Sequence, residues 1–190
     1  MLKSFVILVI SCISLVAVSQ QQHDTALLLI DIQEFYFDTG KSPLAGNVEA
    51  SEKAGQLLAY FRGNNMPVIH VMHKGGGDIH ENVRPLPGEK VFIKEEVSCF
   101  RGTGLNEYLE TTGIHTLVIA GMMTHMCVEA AVRAAADLGY ECILIHDACA
   151  TKDLDYGGEV VKAHDVQLST LNTLRAYAKI FSTNNFLDKK

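Results

Sequence analysis

The chain has 190 residues and a net charge of −6 at pH 7, and 48% of its residues are hydrophobic. This length is typical of one domain with a sizeable buried core. The acidic balance and the lack of a stripe of lysine and arginine exclude a basic field for phosphate backbones, so we expect no nucleic-acid partner.

The first 19 residues differ in composition from the rest of the chain. Lys3 precedes an apolar run over residues 5–18, and small residues then precede Gln20, which is the pattern of a cleavable secretory signal peptide. The run is short for a bilayer span. We therefore expect removal of residues 1–19, and one secreted or periplasmic domain over residues 20–190 with no membrane span. An uncleaved membrane anchor is the alternative.

Four cysteines remain after the predicted signal peptide: Cys99, Cys127, Cys142 and Cys149. Export would bring them into an oxidising environment, in which thiols often pair. Cys142 and Cys149 bracket a strand-like run and would lie roughly 23 Å apart at about 3.3 Å per residue, which is beyond the reach of a disulfide. The other pairings stay open.

The first apolar run of the predicted domain is continuous over Thr25–Ile30 and is followed by Asp31. Such a run predicts a strand that is buried on both faces, with Asp31 at its carboxyl end. Residues 33–47 then predict a loop with an aromatic cluster. Phe35 and Tyr36 of this cluster either line a pocket or cap the core.

The rest of the chain alternates between helical and strand-like patterns. We expect helices over residues 47–61, 105–111, 124–139 and 158–174, and strands over residues 68–72, 91–93, 117–120, 142–145 and 178–182. A loop is expected over residues 147–151 and a frayed tail over residues 184–190. This order predicts a three-layer α/β/α, Rossmann-like fold with an open, mostly parallel six-stranded sheet.

The stretch from Leu117 to Tyr140 predicts a strand, a tight turn and a helix. Thr124 is the candidate N-cap of that helix, which would place Cys127 in the first turn. The unpaired backbone N–H groups and the positive field of a helix start would lower the pKa of the thiol, so Cys127 is a candidate nucleophile. The alternative is that Cys127 is a small buried core residue.

In an open parallel sheet the ligand lies at the carboxyl ends of the strands, near the point where the strand order reverses. Asp31, Lys94 and Cys127 each lie at or just beyond such an end. Asp31 could act as general base and acid, while Lys94 stabilises the carboxylate and thiolate charges. Taken singly, Asp31 could be a cap or an ion-pair partner and Lys94 a solvated surface charge.

Three sequence segments around these residues are similar to one known family. The chain resembles the isochorismatase-like cysteine hydrolases, which include nicotinamidases and carbamoylases, in LLLIDIQ around Asp31, FIKEEVSCFRGTGL around Lys94 and AGMMTHMCVEAAVRAA around Cys127. The similarity covers residues 25–182. It implies an Asp–Lys–Cys catalytic triad that cleaves a C–N bond of a small-molecule amide or carbamoyl compound through a thioester, without a cofactor.

The resemblance also implies a non-proline cis peptide between Met122 and Met123. This bond would aim the N–H of Met123, together with that of Cys127, at a developing oxyanion. Three further side chains are expected to contact the substrate: Phe35, Tyr36 and His125. Specificity is expected to reside in three loops, over residues 33–47, 73–90 and 147–158. We also expect a homo-oligomer.

Two departures from the family keep other activities open. Nicotinamidases hold a metal with an Asp-x-His and a further His, and Asp78 and His80 have this spacing but lie beyond a glycine loop. We therefore expect no metal site, with His73 and His80 at the pocket rim or in solvent. Isochorismatases proper cleave a vinyl ether without a cysteine nucleophile, so Cys127 favours C–N cleavage. The alternatives are the metal-assisted nicotinamidase subtype, vinyl-ether hydrolysis, and a catalytically silent small-molecule-binding protein.

Overall fold

The computed structural model describes residues 23–189 and contains one six-stranded sheet and a separate two-stranded hairpin. The strands of the sheet are β1 (Thr25–Ile30), β2 (Val68–His73), β3 (Lys90–Lys94), β4 (Thr116–Met122), β5 (Glu141–Ala150) and β8 (Ala178–Phe181), and the hairpin consists of β6 (Leu154–Tyr156) and β7 (Glu159–Val161). The order in the sheet is β3-β2-β1-β4-β5-β8, and all its pairings are parallel. This confirms the predicted parallel sheet.

Helices cover both faces of the sheet. They are α1 (Asn47–Gly63), α2 (Leu105–Thr112), α3 (Glu129–Asp137), α4 (Ala163–Leu174) and α5 (Thr183–Leu187). Buried residues of α2, α3 and α4 belong to the hydrophobic core on one face, and those of α1 and α5 belong to the core on the other. The predicted three-layer α/β/α architecture is therefore confirmed.

The central strand β1 is apolar throughout because both of its faces are covered. Leu28 and Ile30 point into one core and Leu27 and Leu29 into the other, as the alternation of side chains along a strand requires. From β1 the chain builds outward to β2 and β3 and then returns to place β4 on the other side of β1. The carboxyl ends of β1 and β4 therefore form the point at which the strand order reverses, where a ligand is expected.

Gly121 allows β1 and β4 to approach closely beside this point. It pairs with Ile30 in the sheet and has a φ of 147°. A Cβ atom on Gly121 would lie 2.1 Å from the carbonyl oxygen of Ile30. This contact is with backbone, so only a shift of one strand against the other could relieve it.

We expect Gly121→Ala to destabilise the protein by about 3 kcal/mol or more, because it adds a backbone clash and an unfavourable φ. Urea denaturation followed by circular dichroism measures the loss. Gly63→Ala is the matched control, since a Cβ on Gly63 meets no atom within 4 Å at the end of α1. The control should be neutral or up to about 1 kcal/mol more stable. Wild-type stability of Gly121→Ala would contradict the close approach.

The predicted loop over residues 147–151 is wrong, because β5 continues to Ala150. The pairing of β5 with β4 shifts register: Ile119 lies opposite Leu144, whereas Gly121 lies opposite Cys149. The extra residues of β5 are accommodated as an irregularity, after which the strand pairs again with β4. The apolar periodicity of the sequence is interrupted at this irregularity, so only the first half of the strand was predicted.

Two further expectations for the last third of the chain are wrong. The helix predicted over residues 158–174 begins only at Ala163, because Gly157 and Gly158, both at positive φ, turn the chain between β6 and β7. The tail predicted to be frayed contains α5. Its Phe186 is buried and stacks on Phe61 of α1 with ring centroids 6.4 Å apart.

The predicted signal peptide lies outside the described residues. Its cleavage, the start of the domain at residue 20, and the secreted or periplasmic location therefore stay predictions, as does the homo-oligomer. Within residues 23–189, none of the helices has the length and apolar character needed to cross a membrane.

Candidate active site

Three side chains meet at the carboxyl edge of the sheet. Lys94 Nζ lies 2.8 Å from Asp31 Oδ2 and 3.3 Å from Cys127 Sγ. It also donates a hydrogen bond to the carbonyl oxygen of Glu96 at 3.1 Å. All three residues are buried, with Asp31 at 0% and Lys94 at 1% exposure. The structure thus brings together the residues that the sequence places at the ends of different strands.

Asp31 is held in an uncommon backbone conformation directly after β1. Its φ is 51°, in the left-handed region that aspartate tolerates better than most residues. The backbone N–H donates to Val71 at 2.9 Å, which ties the residue to β2. Among the described residues, Oδ1 of the carboxylate has no hydrogen-bond partner. This oxygen is therefore available to accept a proton in the site.

Cys127 lies in a π-helical turn, Thr124–Val128, that leads into α3. Thr124 is not the N-cap as predicted, because its hydroxyl donates to the carbonyl oxygen of Ala150 at 3.1 Å and Met123 precedes the turn in an extended conformation. The hydroxyl instead anchors the turn to β5. The peptide bond between Met122 and Met123 is cis.

The predicted lowering of the Cys127 pKa is wrong. Burial, followed by the neighbouring Asp31 carboxylate, raises the pKa of this thiol to about 11, against the opposing effect of Lys94. Burial also raises the pKa of the Asp31 carboxyl, although the Lys94 ammonium opposes it. Burial alone would lower the pKa of Lys94, but Asp31 and Cys127 raise it. The thiol therefore keeps its proton at neutral pH beside a charged ammonium, and its attack needs a base.

We expect the rate of Cys127 alkylation by iodoacetamide to rise about tenfold per pH unit from pH 7 and to level off near pH 11, because only the thiolate reacts. Peptide mass spectrometry after timed quenching measures the rate at each pH. Cys127 should be labelled before Cys99, Cys142 and Cys149, the other cysteines of the described residues, which are free, buried and outside the cavity that opens onto Cys127. Fast labelling that is independent of pH between 6 and 9 would indicate a preformed thiolate instead.

A cavity of about 340 Å³ opens onto the Cys127 thiol. It is lined by Gln33, Phe35, Tyr36, His73, Lys74, Gly75, Gly76, Val97, Met123, Met126 and Cys127. Phe35 and Tyr36, the predicted substrate contacts, line this cavity, as does His73, which was expected at its rim or in solvent. Two of the predicted specificity loops contribute, while the third, residues 147–158, contributes none of these residues.

His125 is not among the residues that line this cavity. Its Nδ1 atom lies 2.6 Å from the hydroxyl oxygen of Thr151. Thr151 in turn accepts a backbone hydrogen bond from Ala45 through its carbonyl oxygen at 3.0 Å. The structure therefore places His125 against the segment that supports the turn, and its contact with a substrate stays a prediction.

Gln33 is a residue of the site that the sequence reasoning missed. Its side-chain Nε2 donates to the carbonyl oxygens of His73 at 3.1 Å and Gly77 at 2.7 Å, and its Oε1 accepts from the N–H of His73 at 2.8 Å. The side chain thereby fixes the glycine loop that forms one wall of the cavity. A glutamine after a strand carries neither a charge nor a nucleophile, and the partners of Gln33 lie 40 residues or more away in the sequence. The sequence alone therefore does not indicate its role.

Asp78 and His80 both make structural contacts, and the carbonyl oxygen of Asp78 accepts from the N–H of Glu34 at 3.0 Å. The His80 ring stacks on Phe37 with centroids 3.7 Å apart, and its Nδ1 accepts from the N–H of Asn82 at 3.3 Å. In the part of the chain from 23 to 189, no group of three or more His, Cys, Asp or Glu residues is placed to hold a metal ion. A metal-free activity stays a prediction.

Comparisons with known proteins agree with the fold and with the motifs. The isochorismatase domain family matches residues 25–173. The isochorismatase family protein YddQ of Bacillus subtilis is 40% identical over 177 residues, which cover 86% of this chain and 98% of YddQ. A crystal structure described as an isochorismatase hydrolase from Oleispira antarctica has a TM-score of 0.84 at 42% identity and covers 90% of this chain and 98% of its own. Streptothricin hydrolase of Streptomyces noursei is 32% identical over 139 residues, 68% of this chain and 50% of that enzyme.

Proposed function

The chain belongs to the isochorismatase family of hydrolases, and from this premise we propose that it is a cysteine hydrolase that cleaves the C–N bond of a small amide or carbamoyl compound through a thioester. The observation that carries the proposal is a buried thiol, 3.3 Å from Lys94 Nζ, that opens into a cavity. Lys94 is in turn paired with the Asp31 carboxylate. Nucleophile, base and stabilising charge are thus within reach of one bound carbonyl group.

In the first half of the reaction, Cys127 Sγ attacks the carbonyl carbon while its proton passes to Asp31. An S–C bond forms, and the carbonyl oxygen takes up the negative charge. Asp31 then gives the proton to the leaving nitrogen as the C–N bond breaks, which releases ammonia or an amine and leaves a thioester. The raised pKa of Asp31 suits this role, because it makes the carboxylate a stronger base.

In the second half, water attacks the thioester carbonyl. Asp31 takes a proton from the water, the S–C bond breaks, and the carboxylic acid product forms. The departing thiolate recovers a proton from Asp31, which restores the resting site. Lys94 stays protonated throughout and offsets the negative charge as it moves between Asp31 and Cys127.

The backbone N–H groups of Met123 and Cys127 are the proposed oxyanion donors. Cys127 lies within the first helical turn after β4, and the N–H groups of a first turn have no carbonyl partner inside their own helix. One such donor typically contributes about 100-fold to 1,000-fold in rate. A silent binding protein would gain nothing from a buried ion pair against a thiol, and such a pair costs several kcal/mol of desolvation for each ion.

Intact-protein mass spectrometry tests the proposal directly. After rapid acid quenching of the protein mixed with a panel of small amides, we expect a population that is heavier by the mass of the acyl group and is localised to Cys127. The peptide carrying Cys142, another buried free cysteine, is the internal control and should stay unmodified. Turnover of an amide without any acylated protein at the shortest quench times would contradict the thioester route.

A further inference from the structure

We propose that the cavity selects amides that are neutral throughout and excludes those that carry a carboxylate or an ammonium group. This inference rests on the proposed function for the reaction itself, but its evidence is separate. It comes from the charged and polar groups around the cavity, each of which already has a partner or has the wrong hydrogen-bonding character for a charged ligand.

Lys94 has no free N–H group to offer an anionic substrate. An ammonium has three donors, and those of Lys94 are directed to Asp31, to the carbonyl oxygen of Glu96 and to Cys127. Lys74, the only other lysine or arginine at the cavity in the described chain, lies 2.7 Å from Glu95 in a pair that is about 70% exposed to water. A carboxylate in the cavity would therefore meet one ammonium whose donors are all engaged, Lys94, and one whose charge is already offset by a carboxylate in water, Lys74.

His73 also presents the wrong group to a carboxylate. Its Nδ1 lies 2.9 Å from the carbonyl oxygen of Lys74, and because a carbonyl oxygen only accepts, Nδ1 carries the proton. In the neutral ring the free Nε2 is then an acceptor. An acceptor suits the N–H of an amide and repels a carboxylate oxygen.

A substrate that carries an ammonium group would find no unpaired carboxylate at the cavity within residues 23–189. No Asp or Glu is among the lining residues that the structure describes, and Asp31 behind them is paired with Lys94. The walls instead present the edge-to-face pair of Phe35 and Tyr36, with ring centroids 5.2 Å apart, and the half-exposed side chains of Val97 and Met126. A charged group that enters loses part of its water and finds no unpaired charge of opposite sign among the described lining residues, which is unfavourable.

Alkylation of Cys127 by iodoacetamide and by iodoacetate tests the selection without any turnover. The two reagents deliver the same group size to the same sulfur, one neutral and one anionic, and the thiolate fraction cancels when both are used at one pH. We expect Cys127 to prefer iodoacetamide by about 100-fold relative to the preference of glutathione. An equal or reversed preference would overturn the inference.

Val97→Arg supplies the missing cation at the mouth of the cavity, where Val97 is 43% exposed. We expect Cys127 of this variant to react with iodoacetate at least about tenfold faster than Cys127 of the wild type. Leu138→Arg is the matched control, because Leu138 is 51% exposed, follows the far end of α3 and lies outside the cavity. This control should keep the wild-type ratio of the iodoacetamide rate to the iodoacetate rate. Equal recovery in both variants would mean that net charge alone sets the preference and would overturn the inference.

Hydrolysis of pentanamide, glutaramic acid and 5-aminopentanamide separates this inference from the proposed function. We expect pentanamide to have a kcat/KM about 100-fold above those of its two charged analogues. Hydrolysis of all three at similar rates would support the cysteine hydrolase and overturn the selection. Discrimination in alkylation with no hydrolysis of any amide would support the selection and contradict the proposed function.

Discussion

Cys127→Ala is expected to abolish turnover and acyl-enzyme formation, with kcat lower by at least about 10⁴-fold. The reason is geometric, because Cys127 supplies the only thiol at the cavity in the described chain and lies next to both Asp31 and Lys94. Water bound in the space left by the sulfur would have a pKa well above that of the thiol. Steady-state kinetics on the best amide of a panel, together with intact mass after quenching, measure the loss.

The matched control for this variant is Cys142→Ala. Cys142 is also buried and free, but its sulfur lies 3.8 Å from the carbonyl oxygen of Val132 in the hydrophobic core, away from the cavity. Its truncation should cost about 1 kcal/mol of stability and leave kcat near the wild-type value. If Cys127→Ala retained hydrolysis, the covalent route would be wrong, and chemistry of the vinyl-ether type, which needs no thiol, would become the better interpretation.

Asp31→Asn is expected to lower kcat by about 10³-fold or more, since an amide cannot take the thiol proton or return it to the leaving nitrogen. Asparagine adopts the left-handed backbone at position 31 as readily as aspartate, so the turn after β1 should be kept. Loss of the carboxylate leaves the Lys94 ammonium buried without its ion-pair partner, which should cost about 3 kcal/mol of stability. Urea denaturation and kinetics at a temperature well below the unfolding midpoint separate the two effects.

The effect of Asp31→Asn should also be far from additive with that of Cys127→Ala. The two residues act in one step, so the double variant should be about as inactive as Cys127→Ala alone. Glu95→Gln is a suitable control, because it removes a carboxylate from the exposed pair with Lys74 at the edge of the cavity. This change should alter kcat by less than about twofold, since an exposed pair of this kind contributes little. Additive losses would mean that Asp31 acts outside the covalent step.

The sequence was sufficient to predict the sheet and the meeting of the three candidate catalytic side chains. A strand that is buried on both faces must be apolar throughout, so β1 could be predicted with its observed ends, Thr25 and Ile30. Parallel strands separated by helices bring their carboxyl ends to one edge. The closeness of Asp31, Lys94 and Cys127 follows from these two rules, and the distances of 2.8 and 3.3 Å agree with it.

The electrostatics of the site could not be predicted in the same way. The field of a helix start is visible in the sequence around Thr124, whereas the depth at which Cys127 is buried and the presence of Asp31 beside it depend on tertiary structure. Burial and the Asp31 carboxylate raise the pKa of the thiol, whereas the position at a helix start predicted a lower pKa. The contacts of Gln33 and the docking of Phe186 were missed for a related reason, because both join segments distant in the sequence.

The division between strand ends and loops around the cavity has an evolutionary consequence. Lys94 is the last residue of β3, and Asp31 directly follows β1 and is tied to β2 by its backbone N–H. In contrast, Phe35, Val97 and Met126 line the cavity and lie outside the strands. Drift at these three positions can therefore change which molecules are accepted while the bond-breaking groups keep their spacing. Proteins that descend from one ancestral gene can therefore come to accept different substrates through a few substitutions at the cavity, while their strands still show the common origin.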